Sequence, residues 1–127
     1  MTDITVLVVE DDVIITTNIV DALEDDAFEV HEAENAAFAL ETLYGKFSIQ
    51  CLLTDVDLGN GMDGLCLASS VHDKWPDIGI IVVSGKSRVM PPDIPDAKFF
   101  IKPYDPQKIA DMIRELVSAA HQSVTAR

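Results

Sequence analysis

Apolar residues along this chain fall in short blocks, and the blocks alternate between strand-like and helix-like spacing. Ile4 to Val9 reads ITVLVV, a continuous run of the kind that forms a strand buried on both faces. Glu10, Asp11 and Asp12 follow at once. A helical stretch comes next, with Ile15, Ile19, Ala22 and Leu23 on one face. Ala27 to Ala33 reads as a short, more alternating strand. Asn35 is a suitable N-cap for a helix carrying Leu40 and Leu43, which Gly45 ends. Ile49 to Thr54 is a second apolar run and stops at Asp55. After the loop from Val56 to Gly61, Asp63 can cap a helix with Leu67, Val71 and Trp75 on one side, stopped by Pro76. Ile78 to Val83 is a third apolar run, ending at Ser84. Gly85 to Asp96 holds Pro91, Pro92 and Pro95 with little helical pattern and reads as a loop. Ala97 to Ile101 forms a last strand, ending at Lys102-Pro103. Asp105-Pro106 supplies an N-cap and a proline at the first helical position. Ile109, Met112, Ile113, Leu116, Val117 and Ala120 then form one apolar stripe, and the chain is expected to fray from about Gln122.

Strands alternating with helices predict an α/β domain, one parallel sheet covered on both faces. The 127 residues fit one domain with its own core. Residues 1–121 are expected to form it and 122–127 a tail. Cys51 and Cys66 lie inside apolar patterns and are expected to be buried thiols in a reducing compartment. No apolar run approaches the ~20 residues that span a bilayer. Met1-Thr2-Asp3 lacks the basic start and apolar stretch of a secretion signal. A cytoplasmic protein without membrane association is therefore expected. The formal net charge of −13 repels phosphate backbones and anionic lipid. It argues against direct nucleic-acid binding and favours a cation, or a partner with a basic or apolar face.

Ligands of open α/β sheets collect beyond the carboxyl ends of the strands. There this chain places Glu10, Asp11 and Asp12 after the first strand, Asp55 and then Asp57 after the third, Ser84 at the fourth and Lys102 at the fifth. With strand order 2-1-3-4-5 these ends converge on one cleft. Crowded carboxylates repel one another, and a hard divalent cation relieves the repulsion. Few protein ligands with room for water suit Mg²⁺ better than Ca²⁺. A carboxylate beside Mg²⁺ is a nucleophile toward phosphorus. The metal, a lysine and a hydroxyl are then enough to hold the phosphoryl oxygens. Each residue also has an ordinary role. Asp12 suits a helix N-cap, Ser84 a turn, and Lys102 a solvated surface. Their conjunction points to chemistry.

The motifs Val8-Val9-Glu10-Asp11, Leu53-Thr54-Asp55, Met62-Asp63-Gly64, Val83-Ser84-Gly85 and Lys102-Pro103, in this order and spacing, resemble the receiver domain of bacterial response regulators. The resemblance covers about residues 4 to 120. It implies a flavodoxin-like (βα)5 fold with a parallel five-stranded sheet in order 2-1-3-4-5. It implies that Asp55 is the phosphoacceptor and that Mg²⁺ is bound by the carboxylates of Asp11 and Asp55 and the backbone carbonyl of Asp57, with Glu10 acting through metal-bound water. Ser84 and Lys102 would each hold a phosphoryl oxygen. Ser84 and Phe99 would move together as the switch, and the Lys102-Pro103 bond would be cis. The implied partners are a sensor histidine kinase or a histidine phosphotransfer protein, and a downstream protein target. The resemblance implies a phosphoacceptor that gains and loses its phosphoryl group, rather than a turnover enzyme.

Three features depart from the family pattern. The stretch from Ser84 to Phe99 is shorter than usual and proline-rich, so the fourth helix is expected to be reduced or absent. Phe99 lacks the hydroxyl of a tyrosine switch. The loop from Leu58 to Gly61 carries glycines where the family has Met-Pro. Asp57 and Lys86 stand at positions that tune phosphoryl lifetime in the family. Two other readings compete. Asp55-Val56-Asp57 is similar to the D-x-D of haloacid-dehalogenase phosphatases, although there the motif follows the first strand. A degenerate receiver would bind partners without phosphate, yet every key position here holds a competent residue. Neither G-x-G-x-x-G nor a P-loop is present to support a nucleotide or flavin protein.

Overall fold

The computed structural model describes residues 3–45, 48–59, 62–85 and 93–125, with side chains to residue 120. Strands β1 (Thr5–Val9), β2 (Glu29–Ala33), β3 (Cys51–Asp55), β4 (Gly79–Ser84) and β5 (Lys98–Ile101) form one sheet in the order β2-β1-β3-β4-β5, every pair parallel. The helices are α1 (Val13–Asp25), α2 (Ala36–Tyr44), α3 (Gly64–Lys74) and α4 (Pro106–Thr125). The three continuous apolar runs became β1, β3 and β4. Every residue of β1 and β3 is buried, as both faces of a parallel sheet require.

Successive side chains of a strand point to opposite faces, so two cores form. Leu7, Val9, Leu52, Ile80 and Val82 pack with Ala39 and Leu43 of α2 and Leu67 and Val71 of α3. Val6, Val8, Leu53, Ile81 and Val83 pack with Ile19 and Leu23 of α1 and Ile109 and Ile113 of α4. The chain thus leaves β1 toward one face, and leaves β2 and β3 toward the other.

Among the described residues no helix joins β4 to β5; residues 86–92, on which most of the expected fourth-helix reduction falls, lie outside the described residues, Lys86, Pro91 and Pro92 with them. From Asp93 the chain turns through Pro95-Asp96 into β5. The last helix continues through Thr125, past the expected domain boundary at residue 121.

The second strand starts at Glu29, not Ala27, because helix termination uses the two preceding residues. The Phe28 amide donates to the Leu23 carbonyl and the Ala27 amide to that of Glu24. These are the two bonds of a Schellman cap, and Phe28 and Leu23 add its apolar contact inside one core. The cap sets Ala27 at φ 69°, where a Cβ is strained. Ala27→Gly relieves that strain but gives the unfolded chain more freedom. The net expectation is a stabilisation of roughly 0.5 kcal/mol, read as a higher urea midpoint at unchanged slope. A lower midpoint would show that the cap tolerates alanine without strain.

Candidate functional site

Each acidic side chain at the sheet's carboxyl end is positioned by the strand before it. Asp55 is the last residue of β3, between β1 and β4, and is 6% exposed. Glu10 follows β1 directly and is 5% exposed. Its amide donates to the Ala33 carbonyl, which holds the chain against β2 for one further residue. Asp11 comes next and is exposed. Ligand oxygens of Glu10, Asp11 and Asp55 all lie within 4.8 Å of one another. Asp12 turns away: its carboxylate accepts from the amides of Ile14 and Ile15 and caps α1, the ordinary role its sequence position suggested.

Lys102 enters from the far side, immediately after β5. Its Nζ lies 2.6 Å from Glu10 Oε1 and 3.1 Å from Asp55 Oδ2. Its amide donates to the Ser84 carbonyl at 2.8 Å, so the end of β4 fixes where the lysine arm begins. The Lys102-Pro103 bond is cis. Ser84 is buried at the end of β4. Asp57 is exposed and lies outside the carboxylate trio. Its side chain accepts from the Gly59 amide at 3.2 Å and shapes the loop after β3. Asn60 and Gly61 of that loop lie outside the described residues. Phe99 is half-buried and opposite Val82, one strand over. Ser84 is two residues from Val82, so Ser84 and Phe99 share the sheet face that carries α2 and α3.

The charges are unevenly compensated. Burial pushes the Glu10 carboxyl up to about 7; the Lys102 hydrogen bond pulls the other way, and nearby Asp55 adds to the rise. For Lys102 burial acts downward, but hydrogen bonds and charge from Glu10 and Asp55 outweigh it and the ammonium is raised. Glu10 Oε2 is buried without a hydrogen-bond partner. A buried, unpartnered carboxylate oxygen beside two more carboxylates is chemically compatible with a hard divalent cation.

Three site features were not anticipated from the sequence. Gly64 opens α3 against the strand end; its amide donates to the Val56 carbonyl at 2.8 Å. A Cβ there would lie 1.8 Å from the Asp55 carbonyl oxygen. The Met62-Asp63-Gly64 motif was its only signal. Tyr104 is half-buried beside the site, its hydroxyl pushed up to about 12 by burial and by the Glu10 charge. Cys66, expected inside, is exposed, whereas Cys51 is buried. Cys66 sits in the first turn of α3, next to the buried Leu67 and Ala68.

Residues 6–114 match the family model described as the response regulator receiver domain. The chain belongs to the response regulator receiver domain family. This receiver domain is 32% identical over 117 residues to a response regulator receiver protein of Anaeromyxobacter, covering 91% of the chain and 47% of that protein. It is 35% identical over 120 residues to a sensor kinase, CckA, of Brucella abortus, covering 89% of the chain and 12% of the kinase. It therefore spans about half the length of one curated relative and a small part of the other. The crystal structure of a receiver protein from Sinorhizobium medicae superposes with a TM-score of 0.86 at 23% identity, covering 93% of this chain and 97% of that one. A CheY-like receiver domain from Methanospirillum hungatei gives 0.85 at 24% identity, covering 96% and 99%. These structures support the fold. The family assignment does not favour the phosphatase or the phosphate-independent reading. Among the described residues, no helix is long and apolar enough to cross a membrane.

Proposed function

We propose that this receiver domain accepts a phosphoryl group on Asp55 from a phosphohistidine of a sensor histidine kinase or histidine phosphotransfer protein. It then signals through contact with a downstream protein. The observation that carries this reading is the meeting of Glu10, Asp11 and Asp55 with Lys102, 92 residues beyond Glu10 in the chain. An Asp55 carboxylate oxygen attacks phosphorus; the P–O bond forms as the P–N bond breaks, and the electron pair leaves on the imidazole nitrogen. Lys102 and the Ser84 hydroxyl each hold a phosphoryl oxygen. Ser84 and Phe99 form the switch, shifting together on their shared face. Glu10, Asp11 and Asp55, with the Asp57 carbonyl, would hold Mg²⁺, which supplies positive charge for the phosphoryl oxygens. The domain that carries this role spans residues 1–121, and the cytoplasm is its setting.

Incubation with acetyl phosphate and Mg²⁺ should add one phosphoryl group to the peptide containing Asp55, read by mass spectrometry. No incorporation, or a label on another peptide, overturns the proposal. Lys102→Ala should still take the label but lose the accompanying amide shifts at Ser84 and Phe99 in NMR spectra. Retained shifts would remove Lys102 from the switch. Mg²⁺ should also stabilise the unphosphorylated domain. At about 100 times its dissociation constant a ligand of the folded state contributes about 2.7 kcal/mol, a rise in Tm of roughly 10 °C for a domain of this size. EDTA should reverse the rise and Asp11→Asn remove most of it. Equal melting with and without Mg²⁺ would count against the metal assignment.

A further inference from the structure

The chain leaves β1 for one face of the sheet but leaves β2 and β3 for the other, so a crevice opens on each side of the β1 end. The crevice toward β3 holds the carboxylates of the phosphoacceptor site. The crevice toward β2 is an open groove of about 590 Å³ between the first turns of α1 and the exposed side of α2. Its volume is in the range that admits ligand side chains.

The groove has two properties that belong together. It holds apolar side chains with no packing role: Val13 is 77% exposed on one wall and Phe38 50% exposed on the other. Neither belongs to either core. Its acids Glu32, Glu34 and Glu41 lie around those apolar groups, and among the described residues no lysine or arginine lines it. Phe38 and Glu41 are three residues apart on α2 and therefore share one side of the helix. Glu10 and Asp11 also line it, so the groove shares two of the metal-binding carboxylates with the phosphoacceptor site.

We propose that this groove docks a protein segment that inserts an aliphatic side chain between Val13 and Phe38 and sets lysines or arginines against Glu34 and Glu41. Charge complementarity selects that occupant. With a net charge of −13 the domain repels acidic segments, anionic lipid headgroups and nucleic acid. The exposed phenylalanine and valine reward an apolar group that a simple polycation does not bring. The inference is independent of phosphoryl transfer, because Phe38, Glu34 and Glu41 have no part in the Asp55 chemistry.

The test is fluorescence anisotropy with a labelled amphipathic lysine–leucine peptide titrated with the full chain. Binding should weaken at least tenfold in Phe38→Ala and in the Glu34→Lys/Glu41→Lys double variant. It should also weaken with salt. The same peptide with glycine for leucine should bind at least tenfold more weakly than the parent. Amide shifts on binding should cluster in the first turn of α1 and along α2. Labelling of Asp55 by acetyl phosphate should be equal in wild type and variants, which reports that the variants are folded. The proposal is overturned if the lysine–leucine peptide does not bind or binds both variants as it binds wild type. Equal binding of the lysine–glycine peptide or of spermidine would also overturn it, by showing a diffuse acidic surface rather than a groove. Failure of wild-type labelling would refute the phosphoacceptor reading alone.

Discussion

Asp55→Asn is expected to reduce phosphoryl incorporation from acetyl phosphate by more than about 10³-fold, the scale on which loss of a nucleophile acts. The change is nearly isosteric, and the position is 6% exposed at the end of a buried strand, so the fold should persist. An amide has no anionic oxygen to attack phosphorus and no charge to offer a cation. Lys102 would keep its 2.6 Å contact with Glu10. The circular dichroism spectrum of Asp55→Asn should match wild type while the label is lost. Retained label would move the acceptor to another side chain, and loss of the folded spectrum would make the variant uninformative about chemistry, in which case Asp55→Glu is compared for label at Asp55's position.

The second large effect is expected at a residue with no charge. Gly64→Ala should destabilise the domain by about 3 kcal/mol or more, as clashes that cannot relax do. In an exposed helix the same change would stabilise by about 1 kcal/mol. Here the new Cβ would sit 1.8 Å from the Asp55 carbonyl oxygen and 2.9 Å from the Val56 Cα. Those are backbone atoms of the site itself and cannot swing aside as a side chain tip can. A fall in Tm of about 10 °C or more is expected, along with weaker labelling because Asp55 must shift. Unchanged melting would mean that α3 can slide away from the end of β3 at little cost.

Residues whose surroundings are local could be read from the sequence. The ITVLVV run had to be a strand buried on both faces, and its end had to place Glu10 and Asp11 beyond the sheet. Asp12, Asn35 and Asp63 cap helices α1, α2 and α3 as their positions suggested, because capping is decided within three residues. Strand limits shifted where a neighbour claimed the residue, as the Schellman cap claims Ala27 and Phe28. The convergence of the strand ends on one cleft followed from the strand order, but the individual contacts within it did not. Nothing near Lys102 in sequence specifies the 2.6 Å contact with Glu10, which depends on strand order and on where β5 ends. Cys66 was misplaced because a single apolar residue in a first helical turn does not reveal which side faces water. The proximity of Gly64 to Asp55 became visible only once α3 was packed against β3.

Glu10 and Asp55 hang from two interior, fully covered strands, whereas Lys102 follows a four-residue strand at the margin whose residues are only half-covered or open. Marginal elements open before central ones. Under gentle heating or dilute urea, amide protons of Phe99 to Ile101 should exchange well ahead of those of Leu52 to Thr54. A domain in that loosened form would still present its acceptor oxygen but would have released the ammonium that reads the result. Receipt of the signal would thus outlast its interpretation.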